Sequence, residues 1–263
     1  MTRRPADCSR RDFVRLVGGG TALLLGCAPG ESGSSGGGVS RLTARPGTPT
    51  QSVSPGEFAL GLDNVSHDAY LRVPAGYLPG QPTPLLVAFH GAGGRASGPL
   101  GTFGPYAESN GFLLLAVDSY FGTWDALSDS YGKRYGPDVQ FLDRALGWVF
   151  DHCRIDPNRL VIEGFSDGAS YALGLGLTNG DLFPRIVAFS AGYIPRSDSA
   201  RAAKPELFVS HGRQDPVLNI DRASRIFVPE LRGAGYTVTY VEFEGGHGIP
   251  AAIADQAVQW LLR

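Results

Sequence analysis

Apolar runs alternate with stretches of helical periodicity from Glu57 to the end of the chain. Two of the runs, 84–89 and 112–117, are apolar throughout, which is typical of central strands buried on both faces of a parallel sheet. In 249–262, apolar residues recur every four positions and predict one buried helix face. The alternation predicts one α/β domain with a mostly parallel sheet, helices on both faces and an antiparallel edge hairpin before residue 74. The predicted strands are 68–73, 84–89, 112–117, 159–163, 185–189, 206–210 and 237–243, and the predicted helices lie near 137–152, 167–178, 220–232 and 249–262.

The first residues have the order of an export signal: arginines, an uncharged run at 16–26, then Cys27. The pair Arg10-Arg11 followed by Phe13 resembles a twin-arginine signal, and Leu24-Leu25-Gly26-Cys27 resembles a bacterial lipobox, in which the cysteine is lipidated. We therefore predict a twin-arginine-type lipoprotein signal peptide at 1–26, lipidation of Cys27, and an exported protein anchored in a membrane and facing the periplasm or the cell exterior. The alternative is an ordinary secretory signal with a chance cysteine.

The stretch 28–55 is mostly Gly, Ser, Thr and Pro and has no aromatic residue. Such a composition buries too little apolar surface to offset the entropy of ordering, so it predicts a flexible tether. The lipidated Cys27 and this tether would occupy 27–55, and the folded domain would occupy 56–263. Cys153 has no partner left for a disulfide, and its place at a predicted helix end disfavours a thiol nucleophile. The net charge of -2 gives no electrostatic reason to expect nucleic acid as a partner.

The segment 159–168 carries the clearest chemical signal. A short apolar run enters Gly164-Phe165-Ser166-Asp167-Gly168, and helix-forming residues follow, which is the strand, sharp turn and helix of a nucleophile elbow. With 37 glycines among 263 residues, the motif G-x-S-x-G is weak by itself, and 33–37 matches it too. That second copy has no apolar run before it and is interpreted as linker. Ser166 is therefore the candidate nucleophile, against the alternative of a helix-capping serine.

A serine nucleophile needs a base and a carboxylate that orients the base, and in this arrangement both follow the serine along the chain. His247 lies in a glycine-rich loop after the last predicted strand and is the candidate base, whereas His211 is interpreted as a structural residue at a strand end. Asp215 lies in the loop after the penultimate strand and is the candidate acid. Its rival Asp221 opens a helical stretch, where an acid complements the helix dipole.

The developing oxyanion needs two backbone N–H donors. One is predicted to be that of Asp167, directly after Ser166, and the other that of Ala92 in the loop His90-Gly91-Ala92-Gly93-Gly94. The segment 91–96 also fits the relaxed dinucleotide motif G-x-G-x-x-A. Gly98 and Pro99 argue against the helix that this motif requires, and no acidic residue ends a strand about 20 residues later.

These motifs together with His211-Gly-Arg-Gln-Asp215 and Gly246-His247 resemble bacterial α/β-hydrolases of the phospholipase/carboxylesterase group, including polyhydroxybutyrate-depolymerase-like and feruloyl-esterase-like members. The resemblance spans 57–263 and implies the α/β-hydrolase fold, serine esterase activity without a metal or organic cofactor, and a small-molecule or polymer-end ester as substrate. It also implies the triad and oxyanion donors named above. Glu163 departs from it, because a small or apolar residue is expected directly before the elbow.

The loop 119–125 follows a predicted strand end, so Tyr120, Phe121 and Trp124 are candidates for lining a substrate pocket, with packing as the equal alternative. No insertion long enough for a lid domain is evident. Two other functions remain open from the sequence: a serine peptidase or amidase on the same triad, and a catalytically silent lipoprotein that binds ligands.

Overall fold

The computed structural model describes residues 40–63, 67–197, 199–201 and 203–263, so the predicted signal peptide, Cys27 and the first part of the predicted tether lie outside the described residues. Within these residues, eight strands form one sheet in the order β1-β2-β4-β3-β5-β6-β7-β8. The strands are β1 Gly56–Ala59, β2 Ala69–Val73, β3 Thr83–Phe89, β4 Leu113–Val117, β5 Ile155–Phe165, β6 Arg185–Phe189, β7 Glu206–Gly212 and β8 Val238–Phe243. The helices are α1 Ser97–Asn110, α2 Pro137–His152, α3 Asp167–Thr178, α4 Ser224–Gly233 and α5 Ala251–Leu261.

The predicted fold class is confirmed. From β4 to β8 the neighbouring strands are parallel, whereas β2 runs antiparallel to both β1 and β4, as the expected edge hairpin requires. Every residue of β3 and β4 is buried. One face of the sheet packs against α2, α3 and α4, and the other packs against α1 and α5. In the described part of the chain, no helix is both long and apolar enough to pass through a bilayer.

Helix α1 corrects one expectation, because Gly98 and Pro99 do not prevent a helix after the loop at 90–96. Pro99 lies in the first turn, where a helix leaves N–H groups without partners in any case. The helix also contains Pro105, which is exposed. Burial of Leu100, Phe103 and Ala107 against the sheet offsets the poor helix propensity of the glycines and prolines. Because a helix does follow the loop, Gly98 and Pro99 are no argument against a dinucleotide site.

The expectation of a flexible tether is wrong for residues 40–55, which lie along the domain without forming a helix or strand. Leu42 is 2 % exposed, and its N–H donates to the side chain of Asn179 at 2.9 Å. The N–H groups of Thr43 and Ala44 both donate to Asp143. Polar side chains of the domain thus supply the partners that a segment with little apolar surface needs.

Candidate active site

Ser166 lies between β5 and α3, at the turn that the sequence predicts. Its backbone adopts φ 56° and ψ −119°, a conformation that L-residues rarely adopt, and its N–H donates to the carbonyl of Phe189 at 2.9 Å. A Cβ on Gly164 would lie 2.2 Å from backbone atoms of Gly168, and one on Gly168 would lie 2.3 Å from the carbonyl oxygen of Phe89. Both glycines are therefore required by close backbone approach, as the nucleophile-elbow interpretation expects.

A continuous chain of hydrogen bonds joins the three residues that the sequence singles out. Nε2 of His247 lies 2.9 Å from Oγ of Ser166, and Nδ1 of His247 lies 2.7 Å from Oδ2 of Asp215. The Asp215 side chain is fully buried, whereas that of His247 is 14 % exposed. Burial by itself would raise the pKa of Asp215, but the hydrogen bonds from His247 and from backbone N–H groups outweigh it and lower the pKa below its usual range. The carboxylate is thus charged next to the imidazole.

Two loops at the carboxyl ends of β7 and β8 bring the acid and the histidine together. The N–H of Gln214 donates to the carbonyl of Gly245 at 3.0 Å, and a Cβ on Gly212 would lie only 2.2 Å from the carbonyl oxygen of Gly246. The side chain of Glu244 accepts from Arg213 at 2.7 Å and from Gln214 at 2.6 Å. The two loops are therefore held to each other by both backbone and side-chain contacts.

The rival residues have other contacts. His211 is fully buried, its Nε2 donates to the carbonyl of Leu218 at 2.7 Å, and burial lowers its pKa, so it is a neutral structural residue as expected. Asp221 is exposed in a short 3-10 turn and accepts from Arg225 at 2.8 Å. Neither residue hydrogen-bonds to His247 or Ser166.

The loop with Ala92 lies directly beside Ser166, since a Cβ on Gly91 would lie 3.2 Å from Cβ of Ser166. The side chain of His90 orders this loop: its Nε2 accepts from the N–H of Ser119 at 3.1 Å, so the proton is on Nδ1, which donates to the carbonyl of Gly91 at 2.7 Å. Burial lowers the pKa of His90 and keeps the ring neutral. Sequence reasoning missed this role, although the histidine directly precedes the glycine-rich loop.

Asp167, the other predicted oxyanion donor, opens α3, where the first N–H groups of a helix have no intrahelical partner. Its carboxylate accepts from Oγ1 of Thr123 at 2.5 Å. Thr123 therefore restrains the acidic side chain next to the nucleophile. Sequence reasoning assigned Thr123 no role at the site.

The three aromatic candidates for a substrate pocket separate into two kinds. Trp124 is 1 % exposed, its Nε1 donates to the carbonyl of His90 at 2.9 Å, and its ring stacks on Tyr171, so it packs inside the protein and does not line a surface pocket. Tyr120 and Phe121 are 38 % and 39 % exposed. They remain candidates for contact with substrate.

Two buried carboxylates hold the loop that carries these aromatic residues. Asp138 accepts from the N–H groups of Tyr120 and Asp125, at 2.9 and 2.7 Å, and Asp125 accepts from those of Gly136 and Asp138. Burial, together with the neighbouring Asp125, raises the pKa of Asp138 to about 7. These groups serve the loop backbone and do not contact the triad.

Cys153 and Glu163, whose roles the sequence left open, are both buried. Cys153 is a buried free thiol, and burial raises its pKa to about 11, so it is not poised as a nucleophile. Glu163 is 2 % exposed, its Oε2 has no hydrogen-bond partner, and burial raises its pKa well above the usual range. In the described residues, no group of three His, Cys, Asp or Glu side chains is arranged to hold a metal ion.

Two of the cavities in the described residues differ in how close they lie to Ser166. The larger, of about 800 Å³, lies by the β1–β2 edge and is lined by Tyr70 and Arg72, and its wall includes neither Gly91 nor Ala92. The other, of about 270 Å³, borders the loop of Gly91 and Ala92 and includes Glu163 in its wall. Phe165, the residue before Ser166, also lines the smaller cavity, which makes it the better candidate of the two for holding part of a substrate.

The known proteins that this chain is similar to include esterases. Residues 140–259 match the family model described as phospholipase/carboxylesterase. Feruloyl esterase C of Emericella nidulans is 23 % identical over 74 % of this chain and 82 % of its own length, and an acetylxylan esterase of Coprinopsis cinerea is 33 % identical over 38 % of this chain and 28 % of its own.

Solved structures support the fold. A fluorophosphonate-binding serine hydrolase of Staphylococcus aureus superposes with a TM-score of 0.62 at 14 % identity, over 80 % of this chain and all of its own. A thermostable esterase superposes with a TM-score of 0.61 at 23 % identity, over 78 % of this chain and 62 % of its own. The family match, the curated relatives and the fold agree with the resemblance drawn from the sequence, and together they support a carboxylic-ester hydrolase with the α/β-hydrolase fold.

Proposed function

We propose that this protein hydrolyses carboxylic esters in two steps through an acyl-Ser166 intermediate. The observation that carries the proposal is the chain of hydrogen bonds from Ser166 Oγ through His247 to Asp215, at 2.9 and 2.7 Å. A serine hydroxyl is a weak nucleophile at neutral pH and needs a base within this distance. The carboxylate fixes the imidazole with its proton on Nδ1, so that Nε2 accepts the proton of the serine.

In the first step, Ser166 Oγ attacks the ester carbonyl while its proton moves to His247 Nε2. The tetrahedral oxyanion accepts hydrogen bonds from the N–H groups of Ala92 and Asp167. The intermediate collapses, the bond to the alcohol oxygen breaks, and that oxygen takes the proton from His247. In the second step, water gives a proton to His247 and attacks the acyl group, and the acid leaves as Ser166 regains its proton.

A fluorophosphonate probe and a pair of alanine variants test the nucleophile. We expect one covalent adduct per chain, located on Ser166 by mass spectrometry, and loss of both adduct and p-nitrophenyl acetate hydrolysis in Ser166→Ala. The matched control is Ser35→Ala, which alters the other G-x-S-x-G sequence and leaves both unchanged. An adduct elsewhere would refute the assignment, and an unlabelled wild type would favour a silent binding protein. Faster turnover of an anilide than of the corresponding ester would favour an amidase.

We also propose that the chain is exported and anchored through a lipid on Cys27. The support is the order of Arg10-Arg11, an uncharged run and Leu24-Leu25-Gly26-Cys27. Metabolic labelling with a palmitate analogue is expected to mark the wild type and the Cys8→Ser control, and to leave Cys27→Ser unmarked. Label on Cys27→Ser would overturn the proposed site.

A further inference from the structure

A cavity of about 270 Å³ lies between the sheet and α1, beside the loop of the proposed oxyanion donor Ala92. Most of its wall is apolar and includes Pro99, Phe103, Phe165 and Ile249. A cavity of about 150 Å³ accommodates benzene, so this one has room for a ring or for a chain of four or five carbons.

Glu163 is a polar group in this wall that nothing so far explains. On β5 it is flanked by Ala88 of β3 and Val187 of β6, both buried and apolar, and its Oε2 has no hydrogen-bond partner. Burial without a cationic partner raises the pKa of this carboxyl well above its usual range, which favours the protonated form. A protonated carboxyl offers one O–H donor and one carbonyl acceptor, and leaving such a group unpaired in the interior costs free energy.

The position of the cavity indicates which half of an ester enters it. The ring of Phe165 lies 4.8 Å from that of His247, centroid to centroid, and Ile249 follows His247 by two residues. In the proposed mechanism, His247 gives its proton to the departing alcohol oxygen. A cavity whose wall flanks His247 therefore lies on the side of the alcohol.

The charge of the wall favours a neutral ligand group. Arg95 also borders the cavity, and its positive charge disfavours a cationic alcohol such as an amino alcohol. An anionic group would lose its hydration on entering a cavity with aromatic and aliphatic walls, which costs free energy. A hydroxyl group is neutral and can both accept from and donate to the carboxyl of Glu163.

We propose that this cavity is a binding site for an alcohol moiety that carries a second hydroxyl group, and that Glu163 selects esters of short diols or polyols by hydrogen-bonding to that hydroxyl. The inference rests on the proposed function and deepens it by naming a substrate class. In this role Glu163 is a specificity-determining residue and does not contact the reacting atoms.

Matched esters test the site. The esters 4-hydroxybutyl acetate and pentyl acetate differ only in a terminal hydroxyl against a methyl group, so the ratio of their kcat/KM values isolates that contact. We expect the wild type to prefer the hydroxylated ester by about fivefold to tenfold, the effect of one hydrogen bond, mostly in KM. Glu163→Gln keeps a donor and an acceptor and retains the preference, whereas Glu163→Leu favours pentyl acetate. The matched control, Glu230→Leu at an exposed position of α4, keeps the wild-type ratio.

The outcomes separate the two proposals. If the wild type neither reacts with fluorophosphonate nor hydrolyses either ester, the proposed function fails and this inference fails with it. If the wild type hydrolyses both esters equally well, or if Glu163→Leu keeps the preference for the hydroxylated ester, only this inference is overturned. Should Glu163→Leu not fold, inhibition of wild-type p-nitrophenyl acetate hydrolysis by 1,4-butanediol and by 1-pentanol gives the same comparison, and stronger inhibition by pentanol overturns the inference.

Discussion

Replacing Asp215 by asparagine tests whether the proposed triad depends on the tautomer of His247. Oδ1 of Asp215 accepts from the N–H groups of Val217 and Leu218, at 2.9 and 2.8 Å, and an amide oxygen in its place keeps both hydrogen bonds. The amide nitrogen then occupies the position from which Oδ2 contacts His247 Nδ1 at 2.7 Å. Because an N–H at that point needs an acceptor, the ring must carry its proton on Nε2. His247 then presents a donor to Ser166 and no longer acts as a base.

Other triads indicate the size of the effect on kcat, and the contacts of Asp215 indicate the effect on stability. By analogy with other triads, the wrong tautomer lowers kcat by about 10⁴, equivalent to about 5.4 kcal/mol of transition-state stabilisation. The fold is kept at some cost, because Nε2 of His211 lies 3.2 Å from Asp215 Oδ2 and already donates to Leu218. The new amide N–H groups face this donor, so we expect a loss of about 1–3 kcal/mol in the free energy of unfolding. That corresponds to a fall of about 2–12 °C in Tm.

Initial rates on p-nitrophenyl acetate, together with thermal unfolding followed by circular dichroism, measure both effects. Asp221→Asn is the matched control, because this rival carboxylate is exposed and pairs with Arg225. We expect the control to retain activity within about twofold, since it changes only a surface ion pair. A folded Asp215→Asn variant with a rate within tenfold of the wild type, or an equally impaired Asp221→Asn variant, would refute the reasoning.

Three further predictions concern stability. Gly168→Ala places a Cβ 2.3 Å from the carbonyl oxygen that ends β3, so we expect the free energy of unfolding, measured with urea, to fall by about 3 kcal/mol or more. The control Gly147→Ala lies on an open face of α2 and should raise that free energy by up to about 1 kcal/mol. Equal unfolding midpoints for the two variants would contradict the crowding argument. Burial raises the pKa of Glu163 in the folded state. Above a pH of about 4.3 the native state therefore binds more protons than the unfolded state. The free energy of unfolding of the wild type then falls by about 1.4 kcal/mol for each pH unit until the folded pKa is reached. Glu163→Gln lacks this loss, and a stability difference between the two that stays constant from about pH 5 to 7 would show that the carboxyl is not buried and neutral. Asn179→Ala removes the acceptor of the Leu42 N–H, so hydrogen exchange at Leu42 should accelerate at least tenfold; unchanged protection would mean that the segment is held by other contacts.

Elements whose local pattern matches their tertiary environment were predictable from the sequence. The apolar runs of β3 and β4 are buried at every position, and the turn around Ser166 follows a strand and precedes a helix as its glycines indicate. The loops that carry Asp215 and His247 follow the last two strands, so parallel pairing brings them to one edge of the sheet. In each of these cases the decisive information lies within about ten residues of the element.

Elements that depend on distant partners were not predictable. The composition of 40–55 measures how little apolar surface that segment has, but not that Asn179 and Asp143 supply hydrogen-bond partners more than 90 residues away. Thr123 was missed as a restraint on Asp167 for the same reason, since a single hydroxyl in a loop carries no periodic signal. Polar contacts between separate segments leave no pattern in either segment alone.

Helix α1, which was not predicted from the sequence, bears directly on the role of Glu163. Alternation along β5 puts Glu163 on the same face as Val161 and Phe165, and α1 packs against that face. Leu100, Phe103 and Ala107 have the spacing of a buried helix face, but the glycines and prolines around them obscured it. Since Pro99 and Phe103 of this helix form part of the wall opposite the sheet, α1 places the acidic residue of the strand in the wall of a cavity. A buried acid in a central strand therefore becomes interpretable as a binding group only when the helix that covers it is known.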